Sequence, residues 1–489
     1  MKLPSDFENR MKEYLLDEYE AFIASYDKPE VKGIRLNTLA PGEILGAICN
    51  EMKEELEKNS VKAGEIPWNK DAFYYETEAE AFRPGKHPFH EAGLYYIQEP
   101  SAMAPVTYLS VNPGERVLDL CASPGGKSTQ IAASLKGEGI LVSNEIMPDR
   151  ARILSENIER MGVRNALVIS EDPRNISDKF AGFFDKVLVD APCSGEGMFR
   201  RSEIAVNEWS LENVRMCADR QKWILDEAAK MLRPGGTLVY STCTFSKEEN
   251  EEQMLDFLKE HEDFALSEMT IYDGMIAGYG GVGIRLFPHK VKGEGHYVCK
   301  LVKKNMSGDN GELSKIPPVF GFEPDITKKE KSDIKDMYVF FKEVCSEKLL
   351  EYIEARRITR FKDQIYLLPT DCPSLKGLKV LRPGLHLGTI LKNRFEPGHA
   401  LAMAISKEEI KNKCNLSLDS LEDKTSEIYK YYNGETFNVT EEMFNDGFSK
   451  KNPSGWHVIF INGASAGWGK ISNSIMKNHF PKGLRKSLR

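Results

Sequence analysis

The stretch at residues 117–128, which reads VLDLCASPGGKS, constrains the fold of this chain more than any other part. An apolar run rich in β-forming residues ends at Leu120, a Pro-Gly-Gly turn follows, and residues 128–135 have a helical pattern. Strand, glycine turn and helix in this order open a nucleotide-binding α/β unit. Glycine lets a ligand approach the backbone, and the N–H groups at the helix start then face it. The stretch predicts a ligand site, with a tight turn lacking any ligand as the alternative.

Strand and helix patterns alternate from about residue 101 to 303, which is typical of a mostly parallel sheet. The predicted strands span residues 116–120, 140–144, 166–170, 184–190 and 237–241, followed by late strands at 285–288 and 296–301. The last strand is expected to pair antiparallel, and residues 248–259 predict an acidic helix. We therefore predict an α/β domain of Rossmann-like type.

Other regions flank this domain. Residues 1–100 predict a small α+β unit, residues 304–316 have linker composition, and residues 317–489 predict a β-rich C-terminal region. Within that last region the predictions are hairpin strands at 364–368 and 378–390, a strand at 456–462 and a turn at 463–470. A chain of 489 residues is long enough for two or three such domains.

The formal net charge of −8 argues against a general nucleic-acid binder, but the charge is unevenly distributed. No acidic residue follows Asp446, whereas these basic residues do: Lys450, Lys451, Lys470, Lys477, Lys482, Arg485, Lys486 and Arg489. This end could bind a polyanion, with a disordered basic tail as the alternative for its last residues. No apolar stretch has the length of a membrane-spanning helix, and nine cysteines without C-x-x-C are typical of a reducing cytoplasm. We expect a cytoplasmic monomer that binds neither a membrane nor a metal.

Acidic residues stand at the carboxyl ends of successive predicted strands: Asp119, Glu145, Asp172 and Asp190. In an open parallel sheet this edge is where ligands bind. Glu145 follows Gly125 by 20 residues, about the spacing at which a carboxylate can accept hydrogen bonds from a ribose. The pattern predicts a nucleoside cofactor. A nicotinamide cofactor is disfavoured because G-x-G-x-x-G is missing.

Two cysteines follow strands at the same edge. Cys193 comes after the fourth strand in DAPCSG, and Cys243 after the fifth in YSTCT. Cys121 lies inside the glycine turn and is expected to pack, and the remaining cysteines are expected to be small buried side chains.

The runs VLDLCASPGGK, DAPCSG and YSTCT resemble those of the NOL1/NOP2/Sun family of RNA cytosine-C5 methyltransferases. The resemblance extends to RLN at residues 35–37, YIQEPS at 96–101 and RLFPH at 285–289, and it covers residues 30–303. LRPGL at 381–385, RFEP at 394–397 and GWGK at 467–470 resemble the PUA-like, RNA-binding extension of the bacterial RsmF type, which acts on 16S ribosomal RNA. One departure is His296 beside Tyr297, where the family often has two aromatic residues; we expect it to affect packing.

The resemblance implies a class I methyltransferase domain that uses S-adenosyl-L-methionine. The implied cofactor contacts are Cys121, Ala122, Ser123, Pro124, Gly125, Gly126, Lys127, Glu145 for the ribose, Arg150, Asp172 for the adenine, and Asp190. It also implies Cys243 as the nucleophile and Cys193 as the residue for product release. The predicted RNA contacts are Arg35, Asn37 and, from the basic charge of the C-terminal end, Lys470, Lys482 and Arg485, with ribosomal RNA or the small ribosomal subunit as partner.

Two cysteines suit this chemistry, because carbon 5 of cytosine is too poor a nucleophile to take a methyl group directly. Thiolate attack at carbon 6 activates carbon 5, and a second group can assist the final elimination. Asp190 is expected to hydrogen-bond the cytosine ring edge. Chemistry alone does not decide which cysteine attacks. The alternatives are the same reaction on transfer RNA and a catalytically silent RNA-binding ribosome assembly factor.

Overall fold

The computed structural model describes residues 3–58, 62–76, 83–305, 317–392, 394–417, 425–444 and 453–485. Most of the predicted linker, residues 306–316, lies outside these ranges. The same is true of four of the basic residues noted near the end of the chain: Lys450, Lys451, Lys486 and Arg489.

The N-terminal part forms the small α+β unit that the sequence predicts. Its elements are α1 (Ser5–Leu15), α2 (Tyr19–Ser25), β1 (Val31–Leu36), α3 (Gly42–Lys58), β2 (Lys62–Ile66), β3 (Asn69–Glu76), α4 (Pro88–Glu91) and β4 (Tyr95–Gln98). The four strands pair antiparallel in the order β2-β3-β1-β4. Strand β4 leads directly into the central domain.

A ten-stranded sheet forms the centre of the molecule. Its elements, apart from one strand contributed later in the chain, are α5 (Ala104–Leu109), β5 (Arg116–Asp119), α6 (Gly126–Leu135), β6 (Ile140–Asn144), α7 (Pro148–Arg160), β7 (Ala166–Ile169), α8 (Pro173–Ser177), β8 (Phe184–Asp190), α9 (Glu203–Glu208), α10 (Leu211–Met231), β9 (Leu232–Thr242), α11 (Glu251–Glu260), β10 (Phe264–Leu266), β11 (Ile276–Ala277), β12 (Ile284–Leu286) and β13 (His296–Lys303). Strands β9-β8-β5-β6-β7 are parallel in that order, and β13 pairs antiparallel with β9. The predicted α/β class and the antiparallel last strand are confirmed.

Alternating side chains of the central strands pack into two different cores. Val117 and Leu141 belong to the cluster on one face of the sheet, whereas Leu118 and Val142 belong to the cluster on the other. Both faces are covered, so β5 is buried along its whole length. The parallel order then brings the carboxyl ends of β5, β6, β8 and β9 to one edge.

The C-terminal part contains two smaller sheets. Its elements are α12 (Lys328–Asp333), α13 (Lys335–Val344), α14 (Glu347–Glu354), β14 (Ile358–Phe361), β15 (Gln364–Leu367), β16 (Val380–Arg382), β17 (Leu385–Leu391), β18 (Arg394–Pro397), α15 (His399–Met403), β19 (Lys413–Leu416), α16 (Glu427–Asn433), β20 (Phe437–Asn438), β21 (Gly455–Ile461), β22 (Ala464–Ser472) and β23 (Ile475–Asn478). The strand orders of the two sheets are β14-β15-β17-β18 and β19-β21-β22-β23-β20.

The prediction of hairpin strands at residues 364–368 and 378–390 is confirmed for β15 and β17, which pair antiparallel, but is wrong for β16. Strand β16 leaves the C-terminal sheets and pairs antiparallel with β7 at the edge of the central sheet, whereas β17 pairs with β15 and β18. Pro383 and Gly384 separate the two strands. The edge of β7 needs a partner for its unpaired backbone groups, and β16 provides it.

The prediction of a turn at residues 463–470 was also wrong, because these residues lie almost entirely in β22. The glycines there allow close packing. A Cβ atom on Gly467 would overlap the Tyr431 hydroxyl, and one on Gly469 would overlap the Met476 sulfur. The turn itself is short, with Asn462 and Gly463 both at positive φ.

The N-terminal part packs against both other parts of the chain. Phe89 and Tyr95 share a core with Tyr432 of the C-terminal part, whose hydroxyl donates to the Pro88 carbonyl at 3.2 Å.

Within the described ranges, no helix is long and apolar enough to span a membrane, and no three His, Cys, Asp or Glu side chains form a group that could hold a metal.

Candidate active site

The loop from Cys121 to Lys127 joins β5 to α6, where the glycine motif stands. Gly125 has φ +111° at the start of α6, a backbone conformation that strongly favours glycine. A Cβ atom on Gly126 would lie 3.3 Å from the side chains of Tyr96 and Gln98. A Cβ atom at Gly126 would therefore crowd β4, whereas the glycines were expected to make room for a ligand.

Backbone and side-chain contacts hold the rest of this loop. Ala122 N–H donates to the Asn144 carbonyl at 2.8 Å, and Ser123 Oγ donates to the Arg150 carbonyl at 3.1 Å. The Pro124 carbonyl accepts from the Asn157 side chain at 2.9 Å. Burial raises the pKa of the Cys121 thiol, which packs against one core of the sheet, as expected.

Lys127 and Asp190 form an ion pair at the edge where β5 and β8 end. Lys127 Nζ lies 2.7 Å from Asp190 Oδ2, and Ser241 Oγ donates to Asp190 Oδ1 at 2.7 Å. Burial alone would raise the pKa of Asp190, but Lys127 and His296 outweigh it and hold the pKa well below its usual range. Asp190 is therefore an anionic acceptor at neutral pH.

The structure brings the two strand-end cysteines together. The sulfur atoms of Cys193 and Cys243 lie 3.4 Å apart, and both side chains are partly exposed. Contact with Cys243, and then burial, raises the pKa of the Cys193 thiol well above its usual value. Burial alone would lower the pKa of Lys127, but Asp190 outweighs it and raises the pKa, with smaller contributions from Asp119 and Cys243.

His296, for which an effect on packing was expected, lies beside the Asp190 carboxylate. It is buried, and its Nε2 atom lies 3.5 Å from Asp190 Oδ1. The departure from the family pattern therefore falls within contact distance of a candidate site residue.

The other predicted cofactor residues lie at the ends of neighbouring strands. Glu145 is buried, accepts from Met147 N–H at 2.9 Å, and has its second oxygen 3.7 Å from the exposed Arg150 side chain. That separation exceeds a hydrogen bond, so this oxygen can accept from a ligand hydroxyl. Asp172 caps α8 by accepting from Arg174 N–H at 3.0 Å.

Arg35 and Asn37 do not reach the surface. Arg35 donates to the Gly126 carbonyl at 3.0 Å and to Thr129 Oγ1 at 2.7 Å, and Asn37 donates to the Met161 carbonyl at 3.0 Å. Both side chains are buried. They fasten the N-terminal part to the central domain, which differs from the surface position that a direct RNA contact requires.

The predicted C-terminal contacts lie on or near the surface. Lys470 and Lys482 are exposed, and Lys470 Nζ lies 5.5 Å from the centre of the Trp456 ring. Arg485 is partly buried and donates to the Phe480 carbonyl at 3.3 Å. Lysine beside tryptophan on one face can bind both the phosphates and the bases of a nucleic acid.

Sequence reasoning missed the buried carboxylates around the cysteine loops. The run at residues 248–252, EENEE, opens the predicted acidic helix, but Glu249 and Glu251 are buried and α11 begins only at Glu251. Glu251 pairs with buried Arg285, whose guanidinium also donates to the Phe245 carbonyl at 2.8 Å. Glu196 accepts from Phe245 N–H at 2.7 Å. The residues around Glu249 are all polar, so the local sequence contains no signal that this side chain is buried.

Models of protein families match most of the chain. Residues 3–100 match the N-terminal domain of 16S rRNA methyltransferase RsmF, and residues 106–302 match 16S rRNA methyltransferase RsmB/F. Residues 339–405 match the first C-terminal domain of RsmF rRNA methyltransferase, and residues 419–486 match the methyltransferase RsmF PUA domain.

Curated relatives match over nearly the full length. Ribosomal RNA small subunit methyltransferase F of Vibrio vulnificus (strain YJ016) is 32% identical over 99% of this chain and 97% of its own. The chain belongs to the RsmF family. The corresponding protein of Vibrio campbellii is 32% identical, covering 95% of this chain and 93% of its own, and that of Aliivibrio salmonicida is 29% identical with the same coverage. The resemblance noted in the sequence is confirmed, as is the PUA-like C-terminal region.

Solved structures agree with the fold of this RsmF-family protein. A methyltransferase homologue from Pyrococcus horikoshii is 28% identical, with a TM-score of 0.52 over 61% of this chain and 94% of its own. NSun6 from the same organism, crystallised with SFG, is 23% identical, with a TM-score of 0.53 over 62% of this chain and 99% of its own. The Rossmann-like methyltransferase domain is thereby confirmed, and the chain is a member of an rRNA methyltransferase family.

Proposed function

We propose that this RsmF-family protein methylates carbon 5 of a cytosine in 16S ribosomal RNA through a covalent bond from Cys243 to carbon 6. The observation that carries the proposal is the pair of sulfur atoms 3.4 Å apart at the ends of β8 and β9. The Lys127–Asp190 ion pair lies at the same edge of the sheet. A thiol pair, a fixed cation and a carboxylate in one place suit the addition and elimination steps of this reaction.

The residues around the glycine loop fit S-adenosyl-L-methionine. The free acceptor capacity of Glu145 suits a ribose hydroxyl, and the Cys121–Lys127 loop presents the start of α6 to the cofactor. Arg150 lies beside Glu145, and Asp172 stands at the end of the neighbouring strand β7, where the adenine is expected. When bound, S-adenosyl-L-methionine supplies a methyl group on a positively charged sulfur, which carbon 5 accepts.

Cys243 starts the reaction. Its thiolate bonds to carbon 6, and the electrons of the carbon 5–carbon 6 double bond move so that carbon 5 becomes nucleophilic. The Asp190 carboxylate can accept a hydrogen bond from the cytosine amino group and stabilise a proton on the ring. Cys243 is proposed as the nucleophile rather than Cys193 because it stands in the YSTCT motif, to which the family resemblance assigns that role.

Elimination ends the reaction. The proton on carbon 5 is removed, its bonding electrons restore the double bond, and the carbon 6–sulfur bond breaks to return the Cys243 thiolate. Cys193, whose sulfur is adjacent, assists this step as a base or through one. Ribosomal rather than transfer RNA is the proposed substrate, because the matching relatives are named as small-subunit ribosomal RNA methyltransferases.

Two variants test the proposal. Cys243→Ala is expected to bind S-adenosyl-L-methionine but to transfer no methyl group, and retained turnover would refute the assignment. Cys193→Ala is expected to accumulate a protein–RNA adduct that survives denaturant, since the adduct forms but is released slowly. A Cys193→Ala protein with normal release would remove Cys193 from the mechanism. Bisulfite mapping of 16S rRNA from a deletion strain identifies the modified cytosine.

A further inference from the structure

The sheet itself does not set the distance between the two thiols. The paired ladder of β8 and β9 ends at Asp190 opposite Ser241, and one more backbone bond follows, from Ala191 N–H to the Ser241 carbonyl at 2.8 Å. Cys193 and Cys243 both lie beyond that point. Other contacts must therefore fix the 3.4 Å separation of their sulfur atoms.

Glu249 supplies such contacts from the interior. One carboxylate oxygen accepts from Ser194 Oγ at 2.5 Å, and the other accepts from Ser194 N–H and from Gln221 Nε2, each at 2.9 Å. Gln221 also donates to the Pro192 carbonyl at 3.0 Å. The residues on both sides of Cys193 are thus held by one carboxylate and one amide.

The same network reaches the Cys243 side. Ser194 Oγ lies 2.8 Å from Thr244 Oγ1, and the Glu249 carbonyl accepts from the Tyr240 hydroxyl of β9 at 2.7 Å. Glu249 is fully buried, so each of these bonds is shielded from water. Glu249 therefore connects the loop after β8 with the end of β9.

We propose that Glu249 is a positioning residue that holds the Cys193 thiol against the adduct formed at Cys243, and so controls product release. This inference rests on the proposed function, because it requires the two cysteines to have the roles given above. Glu249 acts through Ser194 and Gln221 and touches no reacting atom in the proposal.

Hydrogen-bonding capacity separates positioning from charge. In Glu249→Gln the amide oxygen can accept from Ser194 N–H and Gln221, and the amide nitrogen can donate to Ser194 Oγ, which can donate onward to Thr244. In Glu249→Ala the Ser194 and Gln221 donors lose their buried acceptor, and the loop is released. A positioning role therefore predicts rescue by glutamine but not by alanine.

The experiment measures methyl transfer and denaturant-stable adduct in single-turnover reactions of the full-length protein with 16S rRNA. Glu249→Ala is expected to form the adduct at a near-normal rate but to release product about tenfold more slowly, the equivalent of about 1.4 kcal/mol. Glu249→Gln is expected to behave like the wild type. The matched control is Glu227→Ala, since Glu227 is also buried and accepts from Ser177, outside both cysteine loops.

Three outcomes would overturn the inference: normal release in Glu249→Ala, equal adduct accumulation in Glu249→Gln, or equal accumulation in Glu227→Ala. If Glu249→Ala fails to bind S-adenosyl-L-methionine, Ser194→Ala is tested in its place, because it removes only the hydroxyl link. Normal product release by Ser194→Ala would then refute the proposal. Cys193→Ala and Cys243→Ala run in parallel. If the two cysteine variants do not behave as proposed, the proposed function is refuted. If they do, but Glu249→Ala releases product at the normal rate, only the positioning role of Glu249 is refuted.

Discussion

The buried carboxyl of Asp119, beneath the candidate site, allows the electrostatics of this region to be tested by substitution. Its carboxyl is fully buried at the end of β5, Ser128 donates to Oδ2 at 2.7 Å, and Oδ1 has no hydrogen-bond partner among the described residues. Burial raises the pKa of Asp119 to about 7 from an ordinary 3.8. The substitution Asp119→Asn removes this titration while keeping an oxygen that can accept from Ser128.

The magnitude follows from the shift. The folded protein binds the proton more tightly than the unfolded chain, so this contribution to stability is fully present below pH 3.8 and is lost as the pH rises through about 7. At pH 5 the Asp119 carboxyl is already ionised in the unfolded chain but still protonated in the folded protein. The stability therefore falls over the roughly two pH units from pH 5 to about 7, which amounts to about 3 kcal/mol at about 1.4 kcal/mol per unit. The free energy of unfolding of Asp119→Asn, relative to wild type, should rise by that amount from pH 5 to pH 8.5.

Urea unfolding at the two pH values measures this difference. A constant cost of the unpartnered amide nitrogen cancels, because it is the same at both pH values. Asp149→Asn serves as the control, since the Asp149 side chain is 92% exposed, and its effect should change by less than about 0.5 kcal/mol. A pH-independent difference between Asp119→Asn and wild type would refute the reasoning.

Three further predictions concern other parts of the site and the RNA surface. His296→Phe should raise the pKa of Asp190 by removing a partner, so the acid limb of the methylation rate should move to higher pH; an unmoved limb would contradict this. Arg285→Met should lower the free energy of unfolding by about 3–5 kcal/mol, because it leaves a buried carboxylate unpaired. Replacing Lys470 and Lys482 with glutamine should weaken RNA binding more at low salt than at high salt, and equal affinity at low salt would exclude this surface.

Local sequence was sufficient for the frame of the molecule. The nearly continuous apolar runs that contain Val117 and Leu141 encode strands buried on both faces, and the glycine turn encodes the passage from β5 into α6. Because strand ends carry their side chains to the same edge in any parallel sheet, Asp190, Cys193 and Cys243 could be grouped before their distances were known.

Tertiary contacts decided what the local pattern could not. Strand β16 joins β7 across more than 200 residues of sequence, and Glu249 becomes a buried acceptor only because Ser194 and Gln221 are brought to it. Arg35 has the composition of an RNA contact but is enclosed when β4 and α6 close around it. Periodicity and turn residues encode local conformation, whereas the partner of a polar side chain depends on segments distant in sequence, and burial of that side chain is set by how those segments pack.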